Sequence, residues 1–345
     1  LRGQEKVIYG TDDREDMHDV TDRSILRDAD GVVALINAGN LVDNGNGTTT
    51  ITVQNFGVTY NLCQSEPFRD QPTAAFCSGF LVDPSIVASA AHCITSQNDL
   101  NQVRFVFGFE MTNANTPNTT IDNGEIYRGI RILGRQIGLQ GADWVLVQLE
   151  RPVLNHRYVQ IRHNGKLPDN AAVHVIGHPC GLPKKYAGGA IVRDNTPTRY
   201  FIANTDTYGG NSGSPVFNST SHVVEGILVR GETDFVKNGN CWVSKVCPAN
   251  GCRGEDCTRT TEFENLVPIH QHDFIPFDPK IAKVAKIGRR WKIVVGNMWL
   301  LDFATSQSEA RMALKVIKTY GLNCQCFVGR PNPSMEFYLV NGHAP

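Results

Sequence analysis

Short runs of β-branched and aromatic residues, separated by dense turn chemistry, recur across the first 270 residues and restrict that stretch to an all-β build. Thr49–Val53, Val103–Phe107, Trp144–Leu149, Val173–Ile176 and Val223–Val229 read as strands. Asp43-Asn44-Gly45-Asn46-Gly47 reads as a hairpin tip, and Asn113–Asn118 as a polar loop. Such spacing belongs to barrels or sandwiches. The character changes at Gln271–Lys280, where Pro276 and Pro279 punctuate a non-periodic stretch. Beyond it come strand-like runs at Trp291–Val295 and Met298–Phe303. A helix then opens on the capping box Ser306/Glu309 and stops at Gly321. Ala310, Ala313, Leu314, Ile317 and Tyr320 share one face of that helix, and strands follow around Phe327 and at Phe337–Val340. The expected organisation is a domain over 1–270, a linker over 271–282 and a small β-β-α-β-β module over 283–345.

Charge excludes several function classes. The 345 residues hold 33 Lys and Arg against 34 Asp and Glu, a net charge of -1. That balance leaves no electrostatic footprint for nucleic acid or an anionic membrane. The two basic pairs, Lys184-Lys185 and Arg289-Arg290, read as solvated loops. No stretch approaches the roughly 20 apolar residues of a membrane helix. Ten cysteines suit an oxidising compartment. The opening residues, Leu1–Lys6, do not resemble a secretion signal, so secretion implies a signal that has been removed or lies outside this sequence.

Three segments carry chemistry. In Gly209-Gly210-Asn211-Ser212-Gly213-Ser214-Pro215, the glycines permit a tight turn that exposes a hydroxyl. The same turn can aim the amides of Gly210 and Ser212 at one point, as an oxyanion requires. Cys77-Ser78-Gly79-Phe80-Leu81 and Ala88-Ser89-Ala90-Ala91-His92-Cys93 place a histidine at the end of a hairpin-like unit with a cysteine at each end. A Cys77–Cys93 disulfide would fasten that histidine to a strand edge. In Ala142-Asp143-Trp144-Val145-Leu146, an acid heads an apolar strand, where it can be buried against an imidazole. Each segment alone has a bland reading: a surface turn, a core or surface histidine, a turn aspartate. The order His…Asp…Ser is that of one known catalytic triad, and it joins them.

On these residues the chain resembles the trypsin-like serine peptidases, and more closely their bacterial glutamyl-endopeptidase-like branch. Gly209–Phe217 (GGNSGSPVF) and Lys6–Asp12 (KVIYGTD) both look like that branch. The resemblance covers about residues 5–270 and implies two six-stranded antiparallel barrels with the site between them. It further implies Ser212 as nucleophile, His92 as general base, Asp143 as the carboxylate that orients it, and the amides of Gly210 and Ser212 as oxyanion donors.

The resemblance also points to a substrate pocket of Asp206, Thr207, Leu228 and Arg230. An unpaired Asp206 at its floor would favour Lys or Arg before the scissile bond. Glutamate-cleaving relatives carry a histidine where this chain has Leu228, and Arg230 either neutralises Asp206 or meets an acidic side chain itself. Asn211 replaces the aspartate that captures a freed N-terminal amine in trypsin. Cys63 and Cys180 are the remaining isolated pair and can bridge the barrels. Cys241, Cys247, Cys252 and Cys257 suit two local disulfides better than zinc. Cys324 and Cys326 stay unassigned.

The expected protein is therefore a secreted, extracellular and bacterial serine endopeptidase acting on proteins or peptides, with a weak basic preference and an accessory module. No metal or organic cofactor is expected, and neither nucleic acid nor membrane is expected as a partner. A catalytically dead scaffold used for binding or adhesion, and a glutamyl endopeptidase proper, are the alternatives.

Overall fold

The structure is a computed structural model that describes residues 7–138, 141–231, 233–268, 275–296, 298–329 and 333–338; of 275–276, 298–299, 324–329 and 333–338 it describes the backbone. By its contacts the chain forms two compact units, Leu1–Pro152 with Tyr158–Val267, and Val153–Arg157 with Pro268–Pro345.

The first unit includes β1 (Arg14–Asp16), α1 (Arg23–Asp30), β2 (Val32–Asn37), β3 (Cys77–Asp83), β4 (Ile86–Ser89), β5 (Val103–Val106), β6 (Ile126–Ile137) and β7 (Asp143–Leu149). Strands β2 to β7 close into an antiparallel barrel in the order β2-β5-β6-β7-β4-β3. A second set comprises β8 (Ala172–Gly177), β9 (Lys185–Asp194), β10 (Tyr200–Ala203), β11 (Pro215–Asn218), β12 (Val224–Arg230) and β13 (Glu255–Arg259). These pair in the order β8-β11-β12-β13-β10-β9, and β9 returns to β8, so this sheet is also a closed six-stranded antiparallel barrel, with β1 added on β9. The expected two-barrel, all-β architecture is the one found. Closure removes the open edges that a sheet would otherwise present to other chains.

The strands are positioned by an apolar core shared between the barrels. Phe80, Ala88, Trp144 and Leu146 of the first barrel pack in one cluster with Ile176, Phe217, Ile227 and Val229 of the second. α1 adds Ile25 and Ala29 to the same cluster. Its N-cap is Asp22, whose side chain accepts from the Ser24 amide. Lys184 and Lys185, expected in a solvated loop, are buried instead. The Lys185 ammonium bonds Asp16 on the adjoining strand and Gln71 Oε1. Burial pulls its pKa down to about 8 despite Asp16.

In the second unit, β14 (Lys283–Ile287), β15 (Arg290–Val295) and β16 (Met298–Asp302) form one sheet, α2 (Gln307–Tyr320) follows, and β17 (Cys324–Gly329) pairs with β18 (Pro333–Tyr338). The order has one strand more than expected, because Lys283–Ile287 lacks the apolar density of its neighbours. α2 is capped as its sequence predicts: Ser306 Oγ accepts from the Glu309 amide, and Gly321 adopts φ +61°. Ala310 and Ile317 are buried on its inner face, while Tyr320 projects into solvent. The expected linker covers 271–282. Residues 271–274 lie outside the described residues, whereas Ile275–Pro276 pair with β17, and Phe277 and Ala282 are buried in the core of this unit. Arg290, expected in a loop, bonds Asp302 at 2.7 Å.

Among the described residues, three disulfides join Cys63–Cys241, Cys77–Cys93 and Cys247–Cys252. The second was expected, and the third is one of the two local bridges expected among Cys241, Cys247, Cys252 and Cys257; the first corrects the remaining assignments. Cys180 is not joined to Cys63. It sits as a buried thiol in the turn Pro179–Gly181, while Asn61 and Leu62 run beside Trp242 and bring Cys63 to Cys241. Cys257 is likewise a buried thiol, on β13, pointing into the core of the second barrel. Replacing both Cys63 and Cys241 by Ser is expected to lower the unfolding free energy by about 2–5 kcal/mol, measured by chemical denaturation. Cys180→Ser should leave the disulfide-linked peptides unchanged in a non-reducing mass map, and loss of a linked peptide would contradict the pairing.

Candidate active site

His92 lies just after β4, in a turn closed by the Cys93 amide on the Ala90 carbonyl at 3.1 Å. Its ring Nδ1 is 2.7 Å from Asp143 Oδ2, and its backbone amide donates to Asp143 Oδ1 at 3.2 Å. Both oxygens of this carboxylate, 1 % exposed at the head of β7, therefore hold the one histidine. Two residues not singled out from sequence secure the pair. The Arg135 guanidinium donates to the carbonyls of Ala91 and Ile94, tying down the histidine turn. Thr258 Oγ1 on β13 accepts from the Asp143 amide at 3.0 Å. Neither has a local signal, because each acts through main-chain groups that only the fold brings near.

Ser212 belongs to the second barrel, on the loop between β10 and β11. Its carbonyl accepts from the Ser78 amide at 2.8 Å and lies 3.7 Å from Cys93 Sγ, so the loop rests on the disulfide-bonded hairpin that carries His92. A Cβ at Gly213, where φ is +90°, would collide with the Ser78 carbonyl and Ser89 Oγ, so only glycine permits this approach. Gly210 has φ +86°. Among the described residues, the amides of Gly210 and Ser212 carry no hydrogen bond, which suits the expected role as oxyanion donors. Ser212 Oγ itself donates to the Val229 carbonyl at 3.4 Å, and the His92 ring is bonded to Asp143 rather than to the serine.

The pocket residues are placed differently from the expectation. Asp206 accepts the amide N–H of Tyr9 on Oδ1 at 2.7 Å and that of Asp13 on Oδ2 at 2.9 Å. Its oxygens thus hold the N-terminal segment, and the condition for a basic floor, an unpaired Asp206, is not met. Arg230 does not pair with Asp206. Its Nε donates to Asp256 at 2.8 Å and its Nη2 to the Gly141 carbonyl at 3.1 Å. Leu228 is buried in the core of the second barrel, so it does not line a pocket. Thr207 is buried beside Val7, whose carbonyl its amide approaches at 3.4 Å. Sequence reasoning passed over Glu255. It is buried at the start of β13, and a Cβ on Gly231 would run into its carboxylate. Gly231 follows directly on β12, two residues beyond the Val229 that receives Ser212 Oγ. An acid after a turn glycine gives no hint of this in sequence.

Residues 77–227 match the model of the trypsin-like peptidase domain. Over those residues the chain is similar to that domain. Its sequence is also similar to a glutamyl endopeptidase of Bacillus licheniformis, 26% identical over 152 residues, which cover 42% of this chain and 46% of that protein. The chain thus matches less than half the length of that relative. Among solved structures, the VesB protease of Vibrio cholerae overlaps 79% of this chain and 70% of its own, with a TM-score of 0.44 and 14% identity. A Glu endopeptidase solved in complex with MPD overlaps 75% and 98%, with a TM-score of 0.44 and 15% identity.

The two-barrel unit owes part of its stability to the Asp206 clamp, and that contribution depends on pH. Burial is the main effect on this carboxyl and pushes it up to about 7, although the Tyr9 and Asp13 amides favour the ionised form. The native state therefore binds more protons than the unfolded chain between the ordinary value of 3.8 and about 7. Stability from this group is fully present below that window and is lost as pH rises through about 7. Asp206→Asn removes the titration. Urea unfolding should accordingly show the parent losing stability relative to Asp206→Asn as pH rises across the window; a difference independent of pH would refute it.

Proposed function

We propose that the protein is a secreted serine endopeptidase that cleaves peptide bonds through an acyl-enzyme, with Ser212 as nucleophile, His92 as base and Asp143 as its orienting partner. The observation that carries this reading is the bond from His92 Nδ1 to a carboxylate buried at the head of β7, with the Ser212 carbonyl of the other barrel 3.7 Å from the sulfur of the adjoining Cys93. That bond leaves Nε2 as the ring nitrogen able to take the serine proton. A rotation about the Ser212 Cα–Cβ bond turns its hydroxyl from the Val229 carbonyl toward the imidazole. The proton taken by His92 then passes to the leaving amine, and the amides of Gly210 and Ser212 hold the oxyanion, a contribution on the order of 3 kcal/mol per donor. Three disulfides among the described residues support export to an oxidising compartment.

Ser212→Ala should abolish hydrolysis of a denatured protein and labelling by a fluorophosphonate probe, with the fold unchanged. Asp143→Asn should lower turnover by about 10⁴ through the wrong imidazole tautomer. Retained activity in Ser212→Ala would refute the assignment, and an unlabelled parent would favour the binding scaffold.

The weak basic preference is kept, on Glu255 instead of Asp206. Its carboxylate abuts Gly231, two residues beyond the Val229 whose carbonyl receives Ser212 Oγ, and in its ionised form it would favour a basic side chain there. Cleavage-site mapping should show Lys or Arg before the cut, a preference that Glu255→Gln reduces and Asp206→Asn spares. A map dominated by glutamate or apolar residues would overturn it. The module around α2 is proposed to serve recognition or stability.

A further inference from the structure

Away from the peptidase residues, a second cluster combines groups from three separate places in the sequence. Asp28 lies near the end of α1, His174 on β8, and His222 in the turn between β11 and β12. One carboxylate oxygen, Asp28 Oδ2, faces both rings: His174 Nε2 at 3.1 Å and His222 Nδ1 at 2.5 Å. All three donor atoms lie within 4.8 Å of one another.

We propose that Asp28, His174 and His222 form a binding site for a zinc-like divalent cation, which staples α1 to the second barrel. Two imidazoles and a carboxylate are a ligand set that zinc favours, with a fourth position left for water. Zinc bonds of about 2.0–2.2 Å in a tetrahedron hold neighbouring donors roughly 3.3 Å apart. The Asp28–His174 separation is already close to that spacing. His222, in a turn and partly reachable by solvent, needs only a small opening.

Two features beyond proximity support the assignment. The other nitrogen of His174, Nδ1, lies 3.1 Å from Ser219 Oγ, and its ring is stacked on Phe217 at 5.1 Å between centroids. A ligating histidine ordinarily has its second nitrogen held in this way, which sets the tautomer and the ring plane. His222 also has a left-handed backbone, with φ +57°. Such a conformation costs free energy at a non-glycine residue, and it turns this side chain inward onto Asp28.

The ion's role would be structural. α1 leads directly into β2 of the first barrel, whereas both histidines belong to the second, so a bound ion would cross-link the two. This revises the expectation of a metal-free protein, and it stands or falls independently of the peptidase assignment.

The test is equilibration of the full chain with Zn²⁺, removal of excess by gel filtration, and measurement of bound metal and of the thermal midpoint. One equivalent should be retained, and the midpoint should rise with added Zn²⁺. His222→Asn is the informative variant, because asparagine tolerates a left-handed backbone and can still donate to Asp28. It should keep the fold, retain no zinc and lose the Zn²⁺-dependent rise. His92→Ala should retain the full equivalent, which separates this site from zinc captured at the proposed active-site imidazole. Absence of retained zinc in the parent, or equal retention by His222→Asn, would overturn the proposal.

Discussion

The site depends on the contact between the Ser212 loop and the hairpin of the other barrel. The Ser78 amide bonds the Ser212 carbonyl, and the missing side chain of Gly213 lets the two backbones meet. Neither barrel alone contains the proposed chemistry: His92 and Asp143 come from one, Ser212 and the oxyanion amides from the other. A shift of about 1 Å between catalytic groups can cost two orders of magnitude in rate. The shared core of Trp144, Leu146, Phe217 and Val229 is therefore part of the active site in all but contact. It is close-packed and changes shape little, and that rigidity is what the loop rests on.

The N-terminal segment acts on the same loop from the opposite side. Tyr9 and Asp13 hang from Asp206, the Arg14 guanidinium lies 4.1 Å from the ring centroid of Tyr208, and Asp234 accepts the Gly209 amide. Residues 206–209 lead into the nucleophile, so each of these bonds restricts where Ser212 can sit. Trypsin uses a charged aspartate beside its serine for a comparable end. Here Asn211 has no charge to offer, and the restraint is moved upstream to main-chain donors and a buried carboxylate.

What could be read in the sequence was what is local. The strands, the α2 caps and the short segments around His92, Asp143 and Ser212 each have signatures a few residues long, and the Cys77–Cys93 pair is only 16 residues apart. The rest failed for a common physical reason: its partners are distant in sequence and chosen by folding. Asp206 finds amides nearly two hundred residues upstream, Arg230 finds Asp256 on the neighbouring strand, and Lys185 finds Asp16. A charged residue's label says that it needs a partner, not which one. Leu228 illustrates the complementary limit, because alternation along β12 turned it into the barrel core, where an alignment to pocket positions had placed it in a wall.

The Cys63–Cys241 bond separates its two ends by 178 residues. At roughly 5–20 residues per second of synthesis, Cys63 waits on the order of ten to forty seconds before its partner exists. During that interval it shares the growing chain with the thiols of Cys77, Cys93 and Cys180, and closing a shorter loop is entropically easier. A premature Cys63–Cys180 bridge would therefore be a natural wrong turn, and it would hold the turn beside Gly210 away from its place. Escape requires thiol–disulfide exchange, with a thiolate attacking the misplaced bond. The burial of Cys180 in the finished protein then acts as a kinetic lock: once the second barrel has closed, the competing sulfur is out of reach.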